Sequence, residues 1–300
     1  MLRRLLVPLD GSDLAEAALA EAACLAVPLG ASITLLHIIE ADAPQAVHDH
    51  RHLTQVEEAR EYLDQVAAKI PPTIPIEKHV HENKVEDVAQ SIVEHVEELA
   101  PDLVVMCTHG RADLKRLLYG SLAQQVVASG TTPVLLVPQQ RAFCLGPSGS
   151  RTVLMPLDGD EAHEQAIPLV AHLARSLGAR LHLFTVVHTV PSLRGQQAAA
   201  ASMLPATMSA MLDMETDNAA AHLTELAAQL NLSGLSVTQS VVRGHRVEEI
   251  LSAAKILSAD LIVLATHGRK GTEAFWNASV APRVLEKSLM PVLLIPAKER

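Results

Sequence analysis

Basic residues are in the minority in this chain. Its 300 residues hold 24 Lys+Arg against 34 Asp+Glu, a formal charge of −10. Coating nucleic acid requires a basic surface against phosphate, so that class is excluded. Long apolar runs are missing too, since no stretch approaches the ~18 residues of a membrane-crossing helix. The start, Met1-Leu-Arg-Arg-Leu-Leu-Val-Pro-Leu-Asp10, has no extended apolar segment and no small-residue cleavage site. A secretory signal is not expected, and a cytoplasmic location is. Cysteine is scarce: Cys24, Cys107 and Cys144 are odd in number and scattered, so a disulfide framework is not supported. The catalytic signatures G-x4-G-K-S/T, H-E-x-x-H and G-x-S-x-G are also lacking. What is present is apolar: 49% hydrophobic and 19% charged residues suffice for a core and exclude disorder. The length suits about two domains.

Self-similarity is the strongest signal. Leu5-Leu-Val-Pro-Leu-Asp-Gly11 returns as Val153-Leu-Met-Pro-Leu-Asp-Gly159, and Thr108-His-Gly-Arg111 as Thr266-His-Gly-Arg269. Pro133-Val-Leu-Leu-Val-Pro138 returns as Pro291-Val-Leu-Leu-Ile-Pro296, in the same order. This is a tandem duplication, with domains over 1–140 and 151–300 and a Gly/Ser-containing linker over 141–150. The offset is 148 from Asp10 to Asp158, 162 from Val85 to Val247 and 158 from Gly110 to Gly268. The second copy therefore gains 14 residues (162 against 148), best placed in Pro191–Asp213, and then loses 4 (162 against 158). Four residues are about one turn, so the third helix is expected to be a turn shorter there.

Short apolar runs alternate with amphipathic stretches. Leu5–Leu9, Ile33–Ile39, Ile74–Val80, Leu103–Cys107 and Val134–Val137 read as strands, several apolar on both faces as in covered sheets. Leu14, Ala18, Ala22, Leu25 and Leu29 form one helix face; Val85, Val88, Ile92, Val96 and Leu99 form another. Ser12 is a cap for the first helix, with Asp13 and Glu16 at its positive end. Parallel neighbours need crossovers, so the alternation implies an α/β fold: two tandem, doubly wound, Rossmann-like domains, each a five-stranded parallel sheet with helices on both faces.

The informative segment runs from Cys107 through His109, Gly110 and Arg111 to Gly120, Ser121 and Leu122. It leaves the fourth strand and enters a helix at Gly120-Ser121. Ligands in such folds lie outside the carboxyl ends of the strands. Glycines at 110 and 120 let backbone approach an oxyanion, and the free N–H groups of the helix start donate to it. Asp10 at the first strand's tip faces the same crevice. Structural readings stand beside this one. Ser121-Leu-Ala-Gln124 has the spacing of a capping box, and Pro282 prevents that box in the second copy. Asp10 and Asp158 also suit turn residues before a helix. Arg111, Lys115 and Arg116 suit either phosphate neutralisation or a solvated loop, and His109 and His267 either loop packing or phosphate donation. His48-Asp-His-Arg-His52 has no counterpart in the second copy and reads as a solvated loop. Cys24 reads as core and Cys144 as a linker thiol.

Cys107-x2-Gly110-x9-Gly120-Ser121, echoed as Ala265-x2-Gly268-x9-Ala278-Ser279, resembles the G-x-x-G-x9-G-S/T pattern of the ATP-binding members of the universal stress protein family. The whole chain looks like a tandem member. The resemblance implies a stress-response protein with ATP, or a related adenine nucleotide, as a regulatory or structural ligand, carried with Mg. It implies that Asp10, matched by Asp158, lies near the ribose and metal-bearing end, with Pro8 also among the nucleotide-binding residues. Main-chain groups at Ile38 or Ile39, and at Val186 or Val187, then hold adenine. The glycines, with Ser121 and Ser279, line the triphosphate. Cys107 and Ala278 depart from glycine, and Trp276 is bulky, so the first copy is expected to bind better. No base or arginine finger is placed to activate water on a γ-phosphate, so at most slow hydrolysis is expected. In the family, last strands of two domains pair. The proline-bracketed Val134–Val137 and Val292–Ile295 can satisfy that internally as a pseudo-twofold pair, and two such chains can form a homodimer. Protein partners are not named by any residue. Alternative roles are a protein-interaction scaffold without nucleotide, or a weak ATPase.

Overall fold

The computed structural model describes residues 2–41, 46–47, 50–51, 53–108, 123, 125–127, 131–138, 151–193, 195–267 and 280–297, with backbone alone at 46, 47, 50, 51, 108 and 267. The first half runs β1 (Arg4–Pro8), α1 (Asp13–Leu29), β2 (Ser32–Glu40), a hairpin of β3 (Ala46–Val47) and β4 (His50–Arg51), α2 (Val56–Ala67), β5 (Ile76–Val85), α3 (Val88–Leu99), β6 (Leu103–Thr108) and β7 (Val134–Pro138). The second half runs β8 (Thr152–Leu157), α4 (Glu161–Glu164), α5 (Ile167–Leu177), β9 (Arg180–Val187), a 3₁₀ turn (Val190–Ser192), α6 (Gly195–Met203), α7 (Pro205–Leu232), β10 (Val237–Arg243), α8 (Arg246–Ile256), β11 (Leu261–His267), α9 (Val280–Lys287) and β12 (Val292–Ala297).

Each half contributes five parallel strands, and the two sets join into one ten-stranded sheet in the order β10-β9-β8-β11-β12-β7-β6-β1-β2-β5. The join is antiparallel: β7 and β12 pair through Leu136 with Val292, Leu135 with Leu293 and Val134 with Leu294. Leu135 and Leu293 are equivalent residues of the duplication, so a residue faces its own copy and the pseudo-twofold axis passes between them. β7 and β12 lie at the centre of the sheet, and their bracketing prolines limit the length of this ladder.

Side chains of each strand alternate between two cores. Leu5, Val7, Leu35, Val105 and Leu135 pack on the α1, α2, α5 and α7 side, and Leu6, Leu36, Val104 and Leu136 on the α3, α8 and α9 side. Both cores contain residues of both halves, so the strand join is backed by continuous packing. Each fully buried leucine contributes about 1.5–3 kcal/mol relative to exposure. Near the axis the seam is lined by Leu25, Leu103, Leu135, Leu173 and Leu293 together with Glu21, which is 1% exposed.

The first helices begin and end for local reasons. Ser12 Oγ accepts from the Ala15 N–H at 3.2 Å, the expected cap. Gly30 (φ +58°) and Gly178 (φ +61°) close α1 and α5 in the left-handed conformation, with Ala31 N donating to Ala26 O and Ala179 N to Ala174 O. The first helix of the second half is broken into α4 and α5. Pro168, in the first turn of α5, has no N–H for the Glu164 carbonyl, where the first half has Ala20.

The third helix corrects an expectation. It is 12 residues in α3 and 11 in α8, not a turn shorter. The strand before it shrinks, from 10 residues in β5 to 7 in β10. Register pairs Ile33 with Ile76 and Leu181 with Val237, so those positions correspond at an offset of 161, and the helix caps Asp87 and His245 at 158. The second half thus gains 13 residues (161 against 148) and loses 3 (161 against 158). Equating Val85 with Val247 matched a strand residue to a helix residue, because β5 carries a register shift between Ile38 and Glu40 that extends it to Val85. The gain lies in α6 and the 28-residue α7, against 12 residues in α2.

Both third helices are closed by a non-glycine residue with positive φ: Ala100 at +44°, the cap of α3, and Ser258 at +49°, one residue after the Leu257 cap of α8. A side chain there costs about 1–2 kcal/mol, partly offset by glycine's larger unfolded-state entropy. Ala100→Gly and Ser258→Gly are each expected to stabilise the protein by about 1 kcal/mol, read as a higher urea midpoint at unchanged m-value. A lower midpoint in both would show that these caps are not strained.

Candidate functional site

The strand order reverses direction between β1 and β6, with β2 and β5 on one side and β7 on the other. In an open parallel sheet a crevice forms there, outside the carboxyl ends. Pro8 and Asp10 lie at or just beyond the end of β1, Cys107 lies near the end of β6, and Ile38 and Ile39 lie near the end of β2. The structure brings these five residues to one edge. Among expected site residues, His109, Gly110, Arg111, Gly120, Ser121, Leu122, Gly268 and Ser279 lie outside the described residues, as do Lys115, Arg116, Trp276, Ala278 and Cys144.

Asp10 acts first as a turn residue. Its Oδ1 accepts from the Ser12 N–H at 2.9 Å and from the Ser12 hydroxyl at 2.6 Å, and that hydroxyl in turn caps α1. Between them Gly11 takes φ +88°, and a Cβ there would stand 3.0 Å from Leu53 Cδ1. The carboxylate of Asp10 is thereby held at the crevice rim by a local motif, Asp-x-Ser, that the sequence displays.

The strand tip is fixed by a residue that periodicity did not single out. Leu9 N donates to Leu36 O at 2.8 Å, and His37 Nδ1 donates to Leu9 O at 2.8 Å. In the second half Thr185, the equivalent of His37, donates its hydroxyl to Leu157 O at 3.1 Å. One polar residue inside an apolar strand was the available signal in each copy. The Tyr62 ring of α2 lies edge-on to His37 with centroids 6.4 Å apart. Its phenol is pushed up by burial and then by the charges of Glu16 and Asp10, so it is neutral at the rim.

Cys107 adds a thiol beside Asp10. Burial, then the Asp10 charge, raises it to about 12, so it is a neutral, weakly nucleophilic group near neutral pH. Ile38 and Ile39 are 7% and 1% exposed, so their side chains belong to the packing and only their main chain can face a ligand. In the second half the Val187 carbonyl is taken by Gly244 N–H at 3.0 Å.

The second crevice is built differently. Asp158 accepts from the Asp160 N–H at 3.2 Å and pairs with His163 Nδ1 at 2.9 Å. The His163 hydrogen bond is the main cause that lowers Asp158 to about 2; the Asp160 N–H and the nearby Arg246 charge act the same way, against burial. His163 is raised by the same hydrogen bond. Nothing in the repeat pointed to His163, because the first copy has Ala15 there. Among the described residues, no three His, Cys, Asp or Glu side chains gather to hold a metal ion.

The pair predicts two titration limits. Its stabilisation is lost as pH rises through the raised His163 value and as pH falls toward about 2, where Asp158 takes a proton. In His163→Ala the Asp158 carboxyl is expected to move from about 2 toward its ordinary 3.8, read by NMR titration of the carboxyl carbon. An unmoved value would assign the shift to the backbone and to Arg246.

The model of the universal stress protein family matches the chain twice, over residues 1–138 and 149–296. A universal stress protein of Mycobacterium tuberculosis is 24% identical over 298 residues, covering 96% of this chain and 95% of the relative. One from Synechocystis is 21% identical and covers 97% and 99%. Among solved structures, a universal stress protein from Archaeoglobus fulgidus superposes with a TM-score of 0.70 at 18% identity, covering 100% of this chain and 98% of that one. At that identity the superposition speaks for the fold.

Proposed function

The chain belongs to the universal stress protein family through both its halves, and on that premise we propose that it is a cytoplasmic stress-response protein whose first half binds ATP or a related adenine nucleotide as a regulatory or structural ligand. The observation that carries this reading is the placement of Asp10 and Cys107 at the strand-order reversal, with the Gly110-x9-Gly120-Ser121 segment following Cys107 directly. Pro8 and Asp10 sit at the ribose and Mg-bearing end. The main chain of Ile38 and Ile39 borders the adenine, their side chains being buried. Gly110, Gly120, Ser121 and Leu122 cradle the phosphates with amide groups at a helix start, and His109 and Arg111 add donors. Bound ATP would supply charge and hydrogen-bonding groups that bridge the strand ends to that helix, shifting populations in proportion to its differential affinity.

The second half is the weaker site in this proposal. The Asp158 carboxylate is already engaged by His163 Nδ1, the Val187 carbonyl accepts from Gly244, and Ala278 stands where the first copy has Gly120. Gly268 and Ser279 are the remaining cradle residues there. A scaffold without nucleotide is the second reading, favoured by the use of Asp10 Oδ1 as a turn acceptor.

Nucleotide extracted from the purified protein, followed by titration of variants, separates the two. Asp10→Ala and Gly120→Ala are each expected to weaken binding by about tenfold or more, as loss of one charged hydrogen bond or one close backbone approach does. Ala278→Gly is expected to strengthen the second site. No co-purified nucleotide and no titratable site would leave the scaffold. Turnover abolished by Asp10→Ala would instead mark an ATPase.

A further inference from the structure

Three imidazoles meet on the outer flank of the first half. His79 and His81 are two residues apart on β5 and so project to the same face. His95 reaches them from α3. Its ring centroid lies 4.9 Å from that of His79 and 4.9 Å from that of His81, at interplanar angles of 62° and 89°. His95 is 4% exposed, and its Nδ1 lies 2.7 Å from the Ser91 carbonyl. A carbonyl only accepts, so Nδ1 carries the proton and the neutral ring keeps its lone pair on Nε2. The second half has Ser240, Val242 and Ala253 at the corresponding places, so the cluster is particular to the first.

These rings pack edge against face, the arrangement of neutral aromatic groups, and the cluster is not among groups that could hold a metal. Protonation changes the balance. A charge added at His79 meets the His95 ring, 4.9 Å away and closed to water, so that contact opposes it. His79 already titrates below its ordinary value, through burial first, then His95 and His81, with Glu98 of α3 opposing. Glu77 shares the β5 face with His79 and His81 by strand alternation, while Lys78 and Glu82 point the other way, to Asp64 and Arg60 of α2. The neighbouring β2 contributes uncharged Leu36 and Ile38, which pair with His79 and His81.

We propose that His79, His81 and His95 form a proton-operated latch: neutral, they hold α3 against β5, and a proton taken by His79 on acidification releases it, loosening the β2–β5 flank that borders the crevice. The sign follows from linkage. His79, held below its ordinary value, takes a proton first in the opened state, so closure weakens as pH falls below about 6.5. Because His81 pairs with Ile38, opening also disturbs the strand proposed to border adenine; that consequence, unlike the latch itself, rests on the nucleotide reading.

Hydrogen exchange on the full chain at about pH 7.5 and about pH 5.5, with EDTA present and correction for the intrinsic rate, tests this. The equivalent helix α8, which has Ala253 where α3 has His95 and carries a single histidine, His245, at its cap, is the internal reference. Protection of β5 and α3 is expected to fall about tenfold relative to α8 on acidification, and to change less than about threefold in the His79→Gln/His81→Gln variant. Equal changes in α3 and α8, or an undiminished loss in the variant, would overturn the latch. A parallel ATP titration reads the consequence. Acid-weakened binding that the double variant restores supports the coupling. A protection loss with pH-independent affinity keeps the latch and removes its link to nucleotide, whereas no binding at either pH removes the nucleotide reading alone.

Discussion

Everything in this molecule is organised around three residue pairs. Leu136 with Val292, Leu135 with Leu293 and Val134 with Leu294 close the last strand of one half against the last strand of the other. Without that ladder each half would expose an unpaired apolar strand, a template for pairing with another chain. With it, ten strands become one sheet and both cores run unbroken through the axis. Antiparallel pairing follows from the symmetry: a twofold axis normal to the sheet brings equivalent strands together in opposite directions with their faces kept, and Leu135 facing Leu293 is its signature.

The symmetry of the frame contrasts with the asymmetry of what it carries. Both halves present an Asp at the tip of the first strand followed by a positive-φ glycine, and both hold the residue before that Asp with a side-chain donor from the second strand. Beyond that they diverge. Asp10 organises a helix cap through Ser12, whereas Asp158 is drawn into a hydrogen bond with His163. The first half places three imidazoles on its flank, and the second extends its second helix to 28 residues. The shared cores tolerate this divergence: α2 and α7 both contribute to the same core, through Leu63 and Val66 in one half and Leu223 and Ala227 in the other.

Much of the fold was legible in the sequence because it is written in local patterns. Continuous apolar runs such as Leu5 to Leu9 marked doubly covered strands, and Ser12 marked a helix start, since capping depends on neighbours three residues away. The error over the third helix arose where local pattern is ambiguous. Val85 has the spacing of a helix face, yet it ends a strand lengthened by a register shift, and such a shift depends on the neighbouring strand. Of the site, Asp10 and the chain segment after Cys107 were visible as repeated motifs. His37 and Thr185 were not, because equivalent donors need not be the same residue type.

By itself the sequence determined the duplication, the alternation of strands and helices, and the equivalence of Asp10 with Asp158, since repeats and periodicities are properties of order along the chain. Only the tertiary structure decided that equivalent leucines meet at an axis, that His95 reaches across to His79 and His81, and that His163 claims Asp158. Hydrogen bonds, ring contacts and ion pairs act over a few ångströms of space, and a chain that crosses from strand to helix and back sets those distances only when it is folded.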